Sequence, residues 1–227
     1  MRLLLAALLA YIPPAGSLLK HTAARAQALG RTKEITLTGN LSVSGQPARP
    51  AQLVLRFPLQ CRLDGEGGLS FAVRGTAASP SGPAEGTTGP ALQLLQLACP
   101  FLAYRGLSAT EVDTAFRALA TQVGADLTAG SALGRLEDRV VYVLGAGPRD
   151  TARPQLWLYK DTAAPARLIG QGGLDLRLLQ YGSPAAADFF PRVLELWNAG
   201  QLAARFEVLE AKGARGATEE EEDDSRE

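Results

Sequence analysis

The sequence is poor in the residues that most enzymes and metal centres use. Its 227 residues include one His, two Cys, one Met and two Trp, and aromatics make up 6%. With His21 as the single imidazole, a His-based triad and a His-rich zinc cage are excluded by count. An excess of one charge is missing as well, because 23 Lys and Arg balance 23 Asp and Glu. The basic residues are scattered along the chain without base-stacking aromatics among them, so nucleic acid is not an expected partner. No cofactor and no catalytic residue is assigned, since no activated nucleophile is visible. What remains is 46% apolar and 20% charged, the composition of one sizeable globular domain.

The amino terminus bears on the compartment. Met1-Arg2 precedes the uncharged run Leu3 to Ile12, which as a helix covers about 15 Å against a bilayer core of roughly 30 Å. One positive charge, a short apolar stretch and Pro13-Pro14-Ala15-Gly16 read as a signal peptide over residues 1–16, with an alternative cut after Ala28 at Ala26-Gln27-Ala28. The other reading of Leu3 to Ile12 is a buried helix of a cytosolic domain. No Cys follows the run, so a lipid-anchored amino terminus is not expected. Ser17 is then predicted to cap a helix carrying Leu19, Ala23, Ala26 and Leu29 on one face, ended by Gly30. Cys61 and Cys99 lie 38 positions apart. In an exported chain they can close a disulfide worth roughly 3 to 4 kcal/mol, and in the other reading they are two buried thiols.

From Glu34 the apolar period becomes two. Ile35, Leu37, Leu41 and Val43 alternate with polar residues, which predicts a half-buried strand. Leu53, Leu55, Phe57, Leu59, Cys61 and Leu63 predict one long strand with a bulge or edge at Pro58, and Leu69, Phe71 and Val73 complete a meander. Residues 75–90, rich in Gly, Pro, Ser and Thr, read as a surface excursion. Two helices are expected next. One spans Ala91 to Ala98 and is interrupted by Pro100; the other opens at the capping box Ser108-x-x-Glu111 and closes at Gly124. Six further strands are predicted at Arg139–Ala146, Gln155–Lys160, Ala166–Ile169, Leu174–Tyr181, Arg192–Trp197 and Leu202–Val208. The absence of a strand-helix-strand rhythm predicts an α+β fold that is mainly β. It should hold one curved antiparallel sheet with short helices over its concave face. The domain is bounded at residues 17–212. The remainder, 213–227, reads as an acidic disordered tail holding seven acids and one base from Glu219 onward.

Candidate chemical motifs reduce to structure. Gly145-Ala146-Gly147 lacks the helix start and third glycine of a dinucleotide loop and reads as a turn. Asp161, Asp175 and Asp188 invite a paired-carboxylate reading, but Asp161 and Asp188 fall in turns, so a solvated role is expected. His21 lies on the first helix as a surface or packing residue. The less ordinary feature is the number of strands with one clean apolar face, because a curved sheet under few helices can enclose a hollow. Its predicted lining is Leu53, Leu55, Phe57 and Leu59 from the long strand, Leu94 and Leu95 from the first covering helix, Val112, Phe116 and Leu119 from the second, and Trp157. Such a hollow suits acyl chains, since a sixteen-carbon chain gains on the order of 12 kcal/mol by leaving water.

Two stretches carry a family likeness. Leu18 to Leu41 holds Lys20-His21, Ala28-Leu29-Gly30 and Ile35-Thr36-Leu37-Thr38-Gly39-Asn40-Leu41. It resembles the first helix and strand of the outer-membrane lipoprotein-sorting, or lipoprotein carrier (Lol-type), superfamily. Val140 to Ala146, Pro154 to Thr162 and Pro165 to Leu168 look like the paired later strands of the same group. The resemblance implies an unclosed antiparallel half-barrel with a helical lid that acts as a periplasmic chaperone for lipid or lipoprotein acyl chains. It also implies a monomer whose partners are an inner-membrane release complex and an outer-membrane acceptor. In such carriers a basic residue of the second strand holds the lid shut, and Arg56 is the nearest counterpart. The 75–90 excursion, the two cysteines and the acidic tail depart from the usual pattern. The alternative function is an envelope sensor or interaction module on the same fold, without bound lipid.

Overall fold

Among the described residues, apolar-polar alternation resolves into a single antiparallel sheet flanked by three α-helices. The computed structural model describes residues 12–27, 32–75, 77–80, 88–182 and 189–215. The first meander comprises β1 (Thr32–Val43), β2 (Arg49–Arg56), β3 (Gln60–Gly65), β4 (Ser70–Arg74) and β5 (Ala77–Pro80). The second comprises β6 (Ser131–Leu136), β7 (Arg139–Leu144), β8 (Gln155–Tyr159), β9 (Pro165–Ile169), β10 (Leu174–Tyr181), β11 (Pro191–Asn198) and β12 (Gln201–Arg215). Helix α1 (Ala15–Gln27) precedes the sheet, and α2 (Thr88–Leu102) and α3 (Ala109–Gln122) join the meanders. Strand order is β5-β4-β3-β2-β1-β12-β11-β10-β9-β8-β7-β6. The chain's first and last strands meet in the middle, and edges β5 and β6 do not pair, so the sheet is an unclosed half-barrel.

The meanders are fused by the long β1–β12 ladder, which carries a register shift between Thr38 and Gly39. A side chain at Gly39 would stand 2.0 Å from the Glu207 carbonyl oxygen, so only glycine admits this approach. The inner face buries Ile35, Leu37, Leu53, Leu63, Leu176, Leu194, Leu196 and Phe206 against the helices. Helix α1 packs on α3, and α2 lies against β3, β4, β10, β11 and β12. The Thr22 hydroxyl donates to the Ala163 carbonyl at 2.8 Å, fixing α1 to the turn between β8 and β9. Cys61 of β3 and Cys99 of α2 form a disulfide with Cα atoms 5.8 Å apart, fastening α2 to the sheet near its carboxyl end. Closing a loop of this length stabilises the chain by roughly 4 kcal/mol.

Several sequence expectations change. The single long strand through Leu63 is a hairpin, because Phe57-Pro58-Leu59 makes a turn with Leu59 at φ 54. The register nevertheless pairs Leu55 with Cys61 and Leu53 with Leu63, so the apolar face survives the reversal. The excursion contains a strand, as β5 pairs with β4. Helix α2 does not stop before Pro100; it begins at Thr88 and runs through Pro100 to Leu102. In its last turn the proline removes one backbone bond while its ring is buried. Helix α1 starts at Ala15, so Ser17 is inside it and donates its N–H to the Pro14 carbonyl. The Ser108 and Glu111 capping box opens α3 as expected, and Gly124 follows its end at φ +84. Strand β6 was not foreseen: Ser-Ala-Leu-Gly-Arg-Leu is an exposed edge with little apolar alternation. Leu3 to Tyr11, Gly30, Asp188 and the acids of the tail lie outside the described residues. Among the described residues no helix is long and apolar enough to cross a membrane.

The outer face of the second meander is tied by polar pairs. Arg167 lies 4.8 Å over Trp157, Arg177 4.8 Å over Trp197, and Asp175 accepts from both arginines between them. Burial raises the Asp175 pKa, yet hydrogen bonds from Arg167 and Arg177 and their charges outweigh it and hold the carboxyl below its ordinary value. A folded-state pKa below the unfolded value means stabilisation that is complete above about pH 4 and lost as pH falls through the folded value. Urea titrations should therefore show wild-type stability falling below about pH 4. Asp175→Asn should start roughly 3 kcal/mol lower at neutral pH and fall less on acidification. Equal acid losses in the two proteins would rule out Asp175 as the source.

Candidate functional site

The apolar seam between α2 and the sheet is the site that the fold builds. Leu94, Leu95, Ala98 and Leu102 follow helical spacing and therefore share one face of α2. Opposite them stand two cross-strand pairs, Leu53 with Leu63 and Leu194 with Phe206. These eight residues surround a cavity of about 10 Å³. A space of that size is at the threshold for a single water, and its lining is wholly apolar. The seam is thus closed, and anything larger enters only if α2 moves away from the sheet.

The expected lining residues divide into three groups. Leu53, Leu94 and Leu95 line the seam. Leu55 is buried on the same inner face beside Cys61, while Phe57 and Leu59 sit half-buried in the hairpin turn. Val112, Phe116 and Leu119 form the buried face of α3. The Phe116 ring packs edge-on against Phe101 at 4.9 Å and Tyr104 at 5.4 Å, filling the space beyond the end of α2. Trp157 must be corrected: it belongs to a separate cluster with Val141, Val143 and Tyr159 on the outer face. There its indole N–H donates to the Gln155 side chain at 3.0 Å under the Arg167 guanidinium. Alternation is the reason, since Leu156 and Leu158 take the inner face of β8 and leave Trp157 the other. Leu63, Ala98, Leu102, Leu194 and Phe206 complete the seam. The alternation of β3, β11 and β12 was the signal for three of them, but sequence alone does not say which strands α2 crosses.

Arg56 is a second correction. It lies on the outer face, its side chain 66% exposed, and pairs with Glu34 of the neighbouring strand, on the side away from the described helices. Its even position in β2, opposite in parity to Leu53 and Leu55, dictates this. The buried arginine at the helical cover is Arg105, in the connection between α2 and α3. Its guanidinium donates to the Phe189 carbonyl and stands 5.3 Å over the Phe57 ring. The Leu59 N–H donates to the Ala103 carbonyl at 2.6 Å in the same junction. The cover is thereby clamped to the β2–β3 turn and to the segment entering β11. Burial holds the Arg105 pKa below its ordinary value, against the raising influence of Tyr104 and Tyr181. Burial also pushes the Tyr104 hydroxyl up to about 12, so these phenols stay neutral. Nothing in the local sequence Tyr104-Arg105-Gly106 distinguished this arginine from a surface one.

The remaining candidates keep structural roles. Asp161 accepts both hydrogen bonds of the Arg139 guanidinium in the turn after β8, Gly145 adopts φ +100 in a turn, and His21 is exposed on α1. Among the described residues no group of three His, Cys, Asp or Glu is placed to hold a metal ion.

No family model matches the chain, and no curated protein does. Among solved structures it is similar to an outer membrane lipoprotein-sorting protein domain from Vibrio parahaemolyticus. That match has 15% identity over 90% of this chain and 94% of that one, with a TM-score of 0.52. The chain has the lipoprotein-sorting fold. A LolA-superfamily protein from Nitrosomonas europaea overlays at 0.45, with 11% identity over 88% and 94% of the two chains. MucB in complex with MucA from Pseudomonas aeruginosa overlays at 0.33, with 18% identity over 90% of this chain and 59% of that one. At 15% identity the likeness to the Vibrio domain speaks for the fold and not for cargo.

Arg105→Met keeps the length of the stem and removes the guanidinium. Its expected effect is a loss of about 1–3 kcal/mol together with faster amide exchange at Ala103 and Leu107, while far-UV circular dichroism stays unchanged. Exchange rates identical to wild type would mean that the clamp does not hold the cover.

Proposed function

We propose that this chain is a non-enzymatic carrier that shelters acyl chains of lipids or lipoproteins between α2 and the concave face of the half-barrel. The observation that carries the reading is the continuous apolar seam of Leu53, Leu63, Leu94, Leu95, Leu194 and Phe206, roofed by one helix rather than closed by strands. The fold shared with the lipoprotein-sorting domain supports it. In this reading residues 1–16 direct export, residues 17–212 carry the cargo in the periplasm, and an inner-membrane donor and an outer-membrane acceptor load and unload it.

Loading needs α2 to rise. The disulfide at Cys99 fastens the carboxyl end of the helix, so the end that lifts is the amino-terminal half, which bears Leu94 and Leu95. A second reading, an envelope sensor or interaction module, is favoured by the small volume of the seam, about 10 Å³. A module of that kind keeps its core shut and works through its surface.

Purified protein should take up a fluorescent sixteen-carbon fatty acid, and lipid should be found by mass spectrometry after mild extraction. Reduction of the disulfide, or the double variant Cys61→Ser with Cys99→Ser, frees the second end of α2 and should raise uptake. Failure of the oxidised and the reduced protein alike to bind the probe, with no copurified lipid, would leave the interaction module as the function.

A further inference from the structure

The outer face of β1 to β4 forms an open groove of about 850 Å³ on the side away from the helices. It is lined by Arg56, Arg62 and Arg74, with Glu34 and Asp64 between them. Arg56 pairs with Glu34, and Arg62 with Asp64 at 2.9 Å, yet these arginines remain 66% and 62% exposed. Arg74 is exposed and has no acidic partner among the described residues. The groove therefore presents three exposed guanidinium groups against two carboxylates already engaged, and a ligand rich in carboxylates complements it.

Such a segment leaves the fold beside it. β12 ends at Arg215, which pairs with Thr32 at the start of β1. One row across the sheet reads Ala214, Glu34, Arg56, Gln60 and Arg74. At about 4.8 Å between strands, Arg56 is about 10 Å and Arg74 about 19 Å from the strand that delivers the tail. Residues 216–227 follow, with acids at Glu219, Glu220, Glu221, Glu222, Asp223 and Asp224. Extended chain covers about 14 Å from Arg215 to Glu219 and about 31 Å to Asp224. The acids, about 14–31 Å along the extended tail, are thus far enough out to reach the arginines, about 10–19 Å across the sheet.

We propose that the acidic carboxyl-terminal tail of this chain docks in cis on the groove of Arg56, Arg62 and Arg74, and screens that face from other anionic partners. The docking is electrostatic, so it weakens as salt shortens the screening length. It is independent of what the concave face holds.

The tail carries its own reporter, because a Glu-specific protease cuts within Glu219 to Glu222 when they are free. In the full chain at low salt, Arg62→Gln with Arg74→Gln should speed this cleavage on the order of tenfold. About 0.5 M salt should speed wild-type cleavage to the same rate. Vesicles of phosphatidylglycerol should bind more strongly to a full chain with Glu219 to Asp224 made Gln and Asn than to wild type. Equal cleavage of wild type and the arginine variant would overturn the proposal, as would equal vesicle binding by the two tails. Protection that grows with protein concentration would also overturn it, by assigning the tail to the groove of a second copy.

Discussion

The structure depends on one constraint: an open antiparallel sheet whose inner face is apolar from end to end must have that face removed from water. A barrel meets this demand by closing upon itself, but here β5 and β6 stay apart and the helices take over the task. The arrangement works because the long β1–β12 ladder joins two local meanders into one surface. That ladder needs a bulge where Gly39 meets Glu207, so a residue without a side chain at one position secures the continuity of the whole inner face.

Alternation made most of this legible. Ile35 to Val43 was readable as a strand because it buries one side of a pleat, and Ser108 with Glu111 marked α3 because orphan backbone groups need those side chains. Local periodicity fails where the chain reverses without breaking parity. The turn at Phe57-Pro58-Leu59 returns Cys61 to the face of Leu55, so a hairpin looks like a single strand. It fails again where identity depends on distant packing. Arg56 and Arg105 are alike as letters, and only the tertiary fold puts one in solvent and the other between Phe57 and the Phe189 carbonyl. Trp157 shows the same limit, since it is expected in the cavity wall while its parity assigns it to the outer face.

The two faces divide the physics between them. Inside, the Leu, Ala and Phe side chains of the seam meet without polar atoms. Outside, Arg167, Asp175 and Arg177 bind one another between two Trp rings, a set whose donors and acceptors are already matched. Matched groups rigidify a sheet but offer little to a ligand. The outer face of β1 to β4 differs, because its arginines are exposed and incompletely matched.

Whether a roof as tight as α2 is compatible with carriage is a question of magnitude. Raising the amino-terminal half of the helix exposes Ala91, Leu94 and Leu95, all nearly fully buried. At roughly 1.5–3 kcal/mol for each large side chain, the two leucines cost about 3–6 kcal/mol, and Leu53, Leu63, Leu194 and Phe206 opposite them add up to about 6–12 kcal/mol when they too are uncovered. A sixteen-carbon chain leaving water supplies on the order of 12 kcal/mol, and it covers the same leucines once it is seated. Opening thus costs about as much as the chain supplies and is offset only as far as the seated chain covers both faces again, which in the proposed carrier keeps net affinity below the full transfer energy and permits release. A seam this tight is thus compatible with the proposed carrier where the roof is hinged at one end, and the disulfide supplies such a hinge at the carboxyl end of α2.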